Sequence, residues 1–130
     1  MILRVCSAIA ILHLAAPAQA QLYKCEFKNR AVPTADGLVV NQEDDPFVQA
    51  MAELFFDVQT GSLRLRAWDE PIQYEVIHPG DIDEGHSMRA IFRDALTFLN
   101  IAVWEEGMPF VYYNGVGYFG GGCERIAGRP

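Results

Sequence analysis

The chain has 130 residues, a net charge of −7 and three cysteines. A chain of this length forms one domain, and 51% hydrophobic with 21% charged residues exclude an intrinsically disordered protein. Its lysines and arginines are scattered singly along the sequence. That distribution and the negative net charge argue against nucleic acid or an anionic membrane surface as a partner, and the net charge favours a cationic partner or a divalent cation.

Residues 1–20 have the pattern of a cleavable signal peptide. Arg4 supplies a positive charge, Val5–Ala16 is an apolar run, and Ala18–Ala20 fits the small-x-small cleavage rule. The run is shorter than the roughly 20 residues of a spanning helix; a buried helix is the alternative. We therefore expect a single mature β-domain, residues 21–130, that is periplasmic or secreted and has no stable membrane anchor after signal cleavage.

Cleavage would leave two cysteines, Cys25 and Cys123. An even pair in an exported chain predicts one disulfide, here closing a loop of nearly the whole domain. Two free buried thiols are the alternative, and an oxidising compartment disfavours them.

Strand patterns begin at the mature amino terminus. Apolar and charged residues alternate over Leu22–Lys28, which predicts a strand with one buried and one solvent-exposed face. The turn-forming residues of Asn29–Gly37 predict a loop, and Leu38–Val40 is a possible short strand.

The segment Pro46–Phe56 allows two interpretations. Asp45 before Pro46 resembles an N-cap followed by a first helical position, with apolar residues at helical spacing behind it. Alternatively, Leu54–Val58 is the first strand of a hairpin that turns at Gly61. We favour the hairpin, with only a short helical turn near Pro46–Ala52.

The second half of the chain contains further strand patterns, separated by a predicted loop at His78–His86 and a turn at Glu105–Pro109. These patterns cover Ile72–Ile77, Met88–Arg93, Leu96–Trp104, Phe110–Tyr113 and Tyr118–Ile126. The sequence thus predicts an all-β fold: a small antiparallel barrel or sandwich of about eight short strands, meander-like, with at most one short helix. The predicted disulfide would tie the first strand to the last.

The His78–His86 loop contains the weak candidates for a metal site, namely His78, Asp81, Asp83 and His86. Its acidic start resembles a calcium loop, but Phe92 occupies the position of the bidentate glutamate. The two histidines are not at the helical spacing of a zinc pair. We predict a solvated acidic loop, with no metal and no cofactor.

No nucleophile motif stands out. Gly115–Gly120 matches G-x-G-x-x-G, but a dinucleotide site needs a helix after the glycines, and the chain ends too soon. Ser62 and Ser87 have no surrounding motif of a catalytic serine. We assign no catalytic residue, and a metal-dependent or carboxylate-based hydrolase remains an alternative because acidic residues are plentiful.

Leu96–Trp104 and Phe110–Tyr113 are apolar on both faces, so both faces of these strands need cover or a ligand. We favour cover by a segment around the short helical turn, which would bury Trp104. The covering residues would be Phe47, Val48 and Met51.

The alternative is that Trp104, Tyr112 and Tyr113 form an exposed patch or line a cavity. Such a surface would bind a protein partner or a small apolar ligand, and that is the function we expect for this exported domain.

Three short motifs carry a resemblance: Tyr23-Lys24-Cys25, a D-x-x-T-G hairpin at Asp57–Gly61, and Gly122-Cys123. With the signal sequence, they resemble small secreted bacterial β-proteins with one disulfide and no characterised function. The chain is also similar to periplasmic lysozyme inhibitors of the membrane-bound C-type class, which are small disulfide-tied barrels with an early cysteine. That likeness implies a cationic lysozyme as partner, although the inhibitory serine-containing loop of the class is not found in this sequence.

Overall fold

Ten antiparallel strands and one short helix form the described part of the chain, residues 22–41 and 44–126 of a computed structural model. The elements are β1 Leu22–Thr34, β2 Gly37–Asn41, α1 Pro46–Met51, β3 Glu53–Asp57, β4 Ser62–Leu65, β5 Ile72–Gln73, β6 Glu75–Asp81, β7 His86–Phe92, β8 Thr97–Ile101, β9 Pro109–Tyr113 and β10 Tyr118–Ile126. The all-β prediction is confirmed, with about ten strands rather than eight. The predicted signal peptide lies outside the described residues.

The strands form one sheet in the order β5-β4-β3-β1-β10-β9-β8-β7-β6, and β2 pairs with β1 beside this path. Only Tyr74 separates β5 from β6 along the chain, so the two ends of the sheet meet at this residue. The sheet is therefore a nearly closed barrel, which decides between the barrel and the sandwich that the sequence left open.

Strand β1 pairs with three other strands. One edge pairs with β10 over residues 22–31, and the other edge pairs first with β3 and then with β2. The predicted loop at Asn29–Gly37 is wrong, because β2 gives the second half of β1 a partner and only the turn at 35–36 remains. A bulge at Lys28 shifts the register against β10. Gly121 is required there, since a Cβ atom would overlap the carbonyl oxygen of Glu26.

The predicted disulfide is present, with Cys25 directly opposite Cys123 in the β1–β10 register. Their Cα atoms are 4.0 Å apart, below the usual spacing of disulfides. The pair has the narrow spacing of a non-hydrogen-bonded antiparallel pair, and the Cys123 N–H points away from β1 to donate to the Met108 carbonyl at 2.9 Å. A buried disulfide of this kind is typical of an oxidising, extracellular compartment.

The hairpin interpretation of the Pro46–Phe56 region is confirmed, together with the short helical turn. The Asp45 carboxylate caps α1 by accepting hydrogen bonds from the N–H groups of Phe47 and Val48. Burial opposes ionisation of Asp45, but the Phe47 N–H and the Arg30 guanidinium, 3.0 Å away, hold its pKa below the ordinary value.

The predicted cover of the outer sheet face is wrong. Helix α1 packs against β1 and directs Val48 into the core. The Phe47 ring is 61% exposed and lies 4.4 Å from the Arg30 guanidinium. Trp104, expected to be buried, is 46% exposed. Because α1 connects β2 to β3, the chain holds it beside β1 and away from the outer face of β8 and β9.

The predicted loop at His78–His86 is also shorter than expected. Strand β6 continues through Asp81 and β7 begins at His86, which leaves a turn at 82–85. Strand β6 accommodates Pro79 and Gly80 next to a bulge between Val76 and His78.

The barrel interior is filled by alternate residues of every long strand. The largest fully buried side chains are Tyr23, Phe56, Leu54, Leu63, Met88, Leu99, Ile101 and Cys25. The predicted inward face of the first strand, which includes Tyr23 and Cys25, is therefore confirmed.

We predict that replacing Cys25 and Cys123 together with alanine lowers the midpoint of thermal unfolding. The disulfide closes a sequence separation of 98 residues, and chain entropy for such a loop gives a stabilisation of about 4.7 kcal/mol, an upper value. Calorimetry of the two proteins measures the difference. Two titratable thiols in the denatured, unreduced protein would contradict the disulfide itself.

Candidate functional site

A cavity of about 230 Å³ opens at one end of the barrel. It lies where the β7–β8 and β9–β10 turns meet the loop between β4 and β5. Its walls are Met51, Leu65, Trp68, Ile72, Tyr74, Phe92, Ala95, Thr97, Tyr112 and Asn114. None of these side chains carries a charge at neutral pH, and most of the wall is hydrocarbon or aromatic ring.

Three residues that line this cavity, Tyr74, Thr97 and Tyr112, carry hydroxyl groups that lie close together. The Tyr74 and Thr97 oxygens lie 2.7 Å apart and share a hydrogen bond. Burial raises the pKa of Tyr112 well above its usual range, and the neighbouring Tyr74 phenol adds to the shift. The cavity therefore offers neutral hydrogen-bonding groups in an apolar setting, an arrangement typical of sites for small molecules.

Local structure explains why each hydroxyl points inward. Tyr74 occupies the single position between β5 and β6, and its side chain is buried where the sheet ends meet. Thr97 opens β8 on the same face as the buried Leu99. Tyr112 pairs with Leu99 across β9 and β8 and shares its inward orientation. The cavity mouth is formed by Trp68, which is 60% exposed.

The structure separates the three aromatic residues that the sequence grouped as one surface. Tyr112 faces inward and lines the cavity, whereas its neighbour Tyr113 faces outward. Trp104 follows the end of β8 that lies opposite the start of β9, so it is at the other end of the barrel wall. Its indole N–H donates to the Ser87 hydroxyl at 3.4 Å.

Tyr113 belongs instead to an outer aromatic row, which we define as Ile91, Phe98, Tyr113 and Tyr118. These residues are opposite one another on β7, β8, β9 and β10. The Tyr113 and Tyr118 rings stack with centroids 4.7 Å apart, and the Phe98 ring lies 5.6 Å from Tyr113. The row is an apolar strip on the outside of the barrel.

The weak metal candidates lie in the β6–β7 hairpin. The His78 and His86 rings are 5.1 Å apart, but His78 Nδ1 accepts a hydrogen bond from the Gly80 N–H. The Asp81 carboxylate accepts from the N–H groups of Asp83 and Glu84 and so closes the turn. Within residues 22–41 and 44–126, no group of three or more metal-ligating side chains is arranged to hold an ion.

Sequence reasoning missed Tyr74, Thr97 and Trp68 as site residues. Thr97 had a usable signal, because it is the polar residue on a strand face that continues with Leu99 and Ile101. The role of Tyr74 depends on the meeting of β5 and β6, which joins distant strands and leaves no local pattern.

Comparison with protein-family models, curated proteins and solved structures finds no match to this chain. In the described part of the chain, the one helix has six residues and is too short to cross a membrane.

We predict that the free energy of unfolding falls as the pH rises above about 10, the ordinary pKa of a phenol. The folded protein retains the Tyr112 proton after the unfolded chain has lost it, so this contribution to stability is complete below that pH and declines above it. Urea denaturation across this pH range measures the free energy of unfolding. In Tyr112→Phe this free energy should fall less steeply with pH than in the unaltered protein, and the two slopes should differ by up to about 1.4 kcal/mol per pH unit.

Tyr113→Phe, which removes a phenol from the outer face, is the matched control for loss of a hydroxyl. If the free energy of unfolding depends on pH identically in Tyr112→Phe and the unaltered protein, the raised pKa of Tyr112 is contradicted.

Proposed function

We propose that this protein is an exported binding protein that holds one small, neutral, mainly apolar molecule in the barrel cavity. The observation that carries the proposal is the convergence of the Tyr74, Thr97 and Tyr112 hydroxyls on an uncharged apolar chamber. Apolar walls supply the binding energy of such sites, and a few polar groups orient the ligand.

The volume and chemistry of the cavity define the ligand class. A dry protein cavity of about 150 Å³ accommodates benzene, so about 230 Å³ accommodates a single substituted ring or a short branched chain. An ionised ligand would lose its hydration without gaining a counter-charge from the lining residues. The ligand is therefore uncharged and has one hydroxyl, carbonyl or comparable group that faces Thr97 and Tyr112.

The opening of the cavity is suited to the entry of such a ligand. Trp68 and Ala95 are exposed at the opening, whereas Leu65 and Tyr112 are buried in the walls. A ligand can enter past the loop residues without separation of paired strands. The exposed indole of Trp68 can close over a bound ring by stacking.

A periplasmic or secreted location is part of the proposal. The buried Cys25–Cys123 disulfide supports an oxidising compartment. The signal-like pattern of residues 1–20 supports export before folding.

Ligand binding is favoured over the hydrolase alternative by the placement of polar groups. The residues that carry the hydroxyls line an open chamber, while His78 and Asp81 serve the β6–β7 turn by accepting hydrogen bonds from backbone N–H groups. A protein partner is the second candidate function, and the outer aromatic row with Tyr113 is the observation that favours it. The lysozyme-inhibitor hypothesis depends on the net charge of −7, which attracts cationic proteins.

Three probes of similar shape test the proposal: benzyl alcohol, toluene and benzoate. We expect calorimetric titration to give the tightest binding for benzyl alcohol, weaker binding for toluene, which lacks a hydroxyl, and none for benzoate, which is charged. Thr97→Val keeps the side-chain shape but removes one of the hydroxyls, and should weaken benzyl alcohol binding while leaving toluene binding unchanged.

Tyr113→Phe is the matched control, because it removes a hydroxyl outside the cavity and should leave the affinity unchanged. Ala95→Phe fills the exposed mouth and should block both neutral probes. Equal affinity for benzoate and benzyl alcohol, or binding that survives Ala95→Phe, would contradict the cavity as the site.

A further inference from the structure

Strand β2 has a free hydrogen-bonding edge in the described structure. It pairs with β1 alone. Its three central side chains are exposed: Leu38 by 63%, Val39 by 48% and Val40 by 54%. Soluble proteins usually protect such an edge with charged residues, proline or a covering segment. Here the strand from Gly37 to Asn41 has no charged residue.

Pro33 shows which backbone groups of β2 face outward. Proline has no N–H, so its pair with Leu38 is of the non-hydrogen-bonded kind. Hydrogen-bonded and non-hydrogen-bonded pairs alternate along an antiparallel ladder, so the pair of Val40 with Ala31 is also non-hydrogen-bonded. The N–H and C=O groups of Leu38 and Val40 therefore point away from β1, toward the free edge.

Acidic residues lie at both ends of this edge. Asp36, in the turn before β2, and Asp44, after it, are both exposed. The nearby Arg30 guanidinium is committed to Asp45 at 3.0 Å. The chain as a whole carries a charge of −7, so both the local and the overall field favour a cationic partner.

A second copy of this chain is the disfavoured occupant. Two β2 strands that pair antiparallel about a two-fold axis would bring Asp36 of each copy toward Asp44 of the other. Like charges opposite one another weaken a strand pair, and this arrangement would place them at both ends.

We propose that the β2 edge binds an extended segment of a partner protein, which adds a strand to the sheet. The segment has β-branched or apolar residues at its centre and lysine or arginine at its ends, opposite Asp36 and Asp44. Backbone hydrogen bonds to Leu38 and Val40 supply affinity, and the flanking charges supply selectivity. This site is separate from the cavity, and it does not depend on the ligand proposed above.

The outer face of the barrel continues into this site. Val40 is opposite Ala31, which is opposite Tyr118 of the outer aromatic row. Directly paired residues share a face of the sheet, so an added strand would place alternate side chains beside Leu38 and Val40 and extend the apolar strip.

The test uses two fluorescein-labelled peptides, KTVTVTK and ETVTVTE, that differ only in their end charges. By fluorescence anisotropy we expect KTVTVTK to bind about tenfold more tightly, a difference of about 1.4 kcal/mol, and this preference should shrink in about 0.5 M sodium chloride. Amide hydrogen exchange should slow at Leu38 and Val40 when KTVTVTK is bound.

The N–H that Val40→Pro removes points outward and does not bond to β1, so this change should abolish peptide binding and leave the β1–β2 hydrogen bonds intact. Val40→Thr retains that N–H and is the matched control; it should bind as the unaltered protein does. Circular dichroism and a closed disulfide confirm that both variants fold. Benzyl alcohol binding reports on the cavity and should not change in either.

The proposal is overturned if neither peptide binds, if KTVTVTK binds Val40→Pro as well as Val40→Thr, or if ETVTVTE binds as tightly as KTVTVTK. Self-association in sedimentation that Val40→Pro abolishes would identify a second copy as the occupant and would also overturn it.

Discussion

The pairing of the first strand with the last is the constraint on which the rest of this structure depends. Strand β1 meets β10 along one edge, and Cys25 and Cys123 fix this register covalently from inside the barrel. With that edge satisfied, the other edge of β1 is available to β3 and β2. The sheet can then curve until β5 and β6 meet at Tyr74. The disulfide therefore lies near the middle of the strand order, and the cavity lies where the two ends of the sheet meet.

The cavity follows from how the two ends of the sheet meet. Strand β5 has two residues and, among the described strands, pairs only with β4, so the wall is thin where Tyr74 turns inward. The Tyr74 hydroxyl shares a hydrogen bond with the Thr97 hydroxyl on β8, and this bond satisfies two buried polar groups. Binding chemistry and barrel closure therefore share the same residues, and a change at Tyr74 would affect both.

The sequence predicted those features of the fold that depend on local patterns. Period-two alternation located β1 and β7, the turn chemistry of Gly61 located the β3–β4 hairpin, and the cysteine count paired Cys25 with Cys123. Features set by distant pairing were missed. The extension of β1 past Lys28 requires β2 as a partner. The grouping of Trp104 with Tyr113 failed because proximity in sequence does not reveal which end of the barrel a residue occupies.

The central claim is that the cavity receives a neutral ring-sized molecule, and a crystal structure with 4-bromobenzyl alcohol tests it most directly. The account predicts one anomalous bromine peak inside the chamber, between Leu65 and Phe92, with the alcohol oxygen within hydrogen-bonding distance of Thr97 or Tyr112. Bromine peaks confined to the outer aromatic row, with the chamber empty of ligand at saturating concentration, would contradict it.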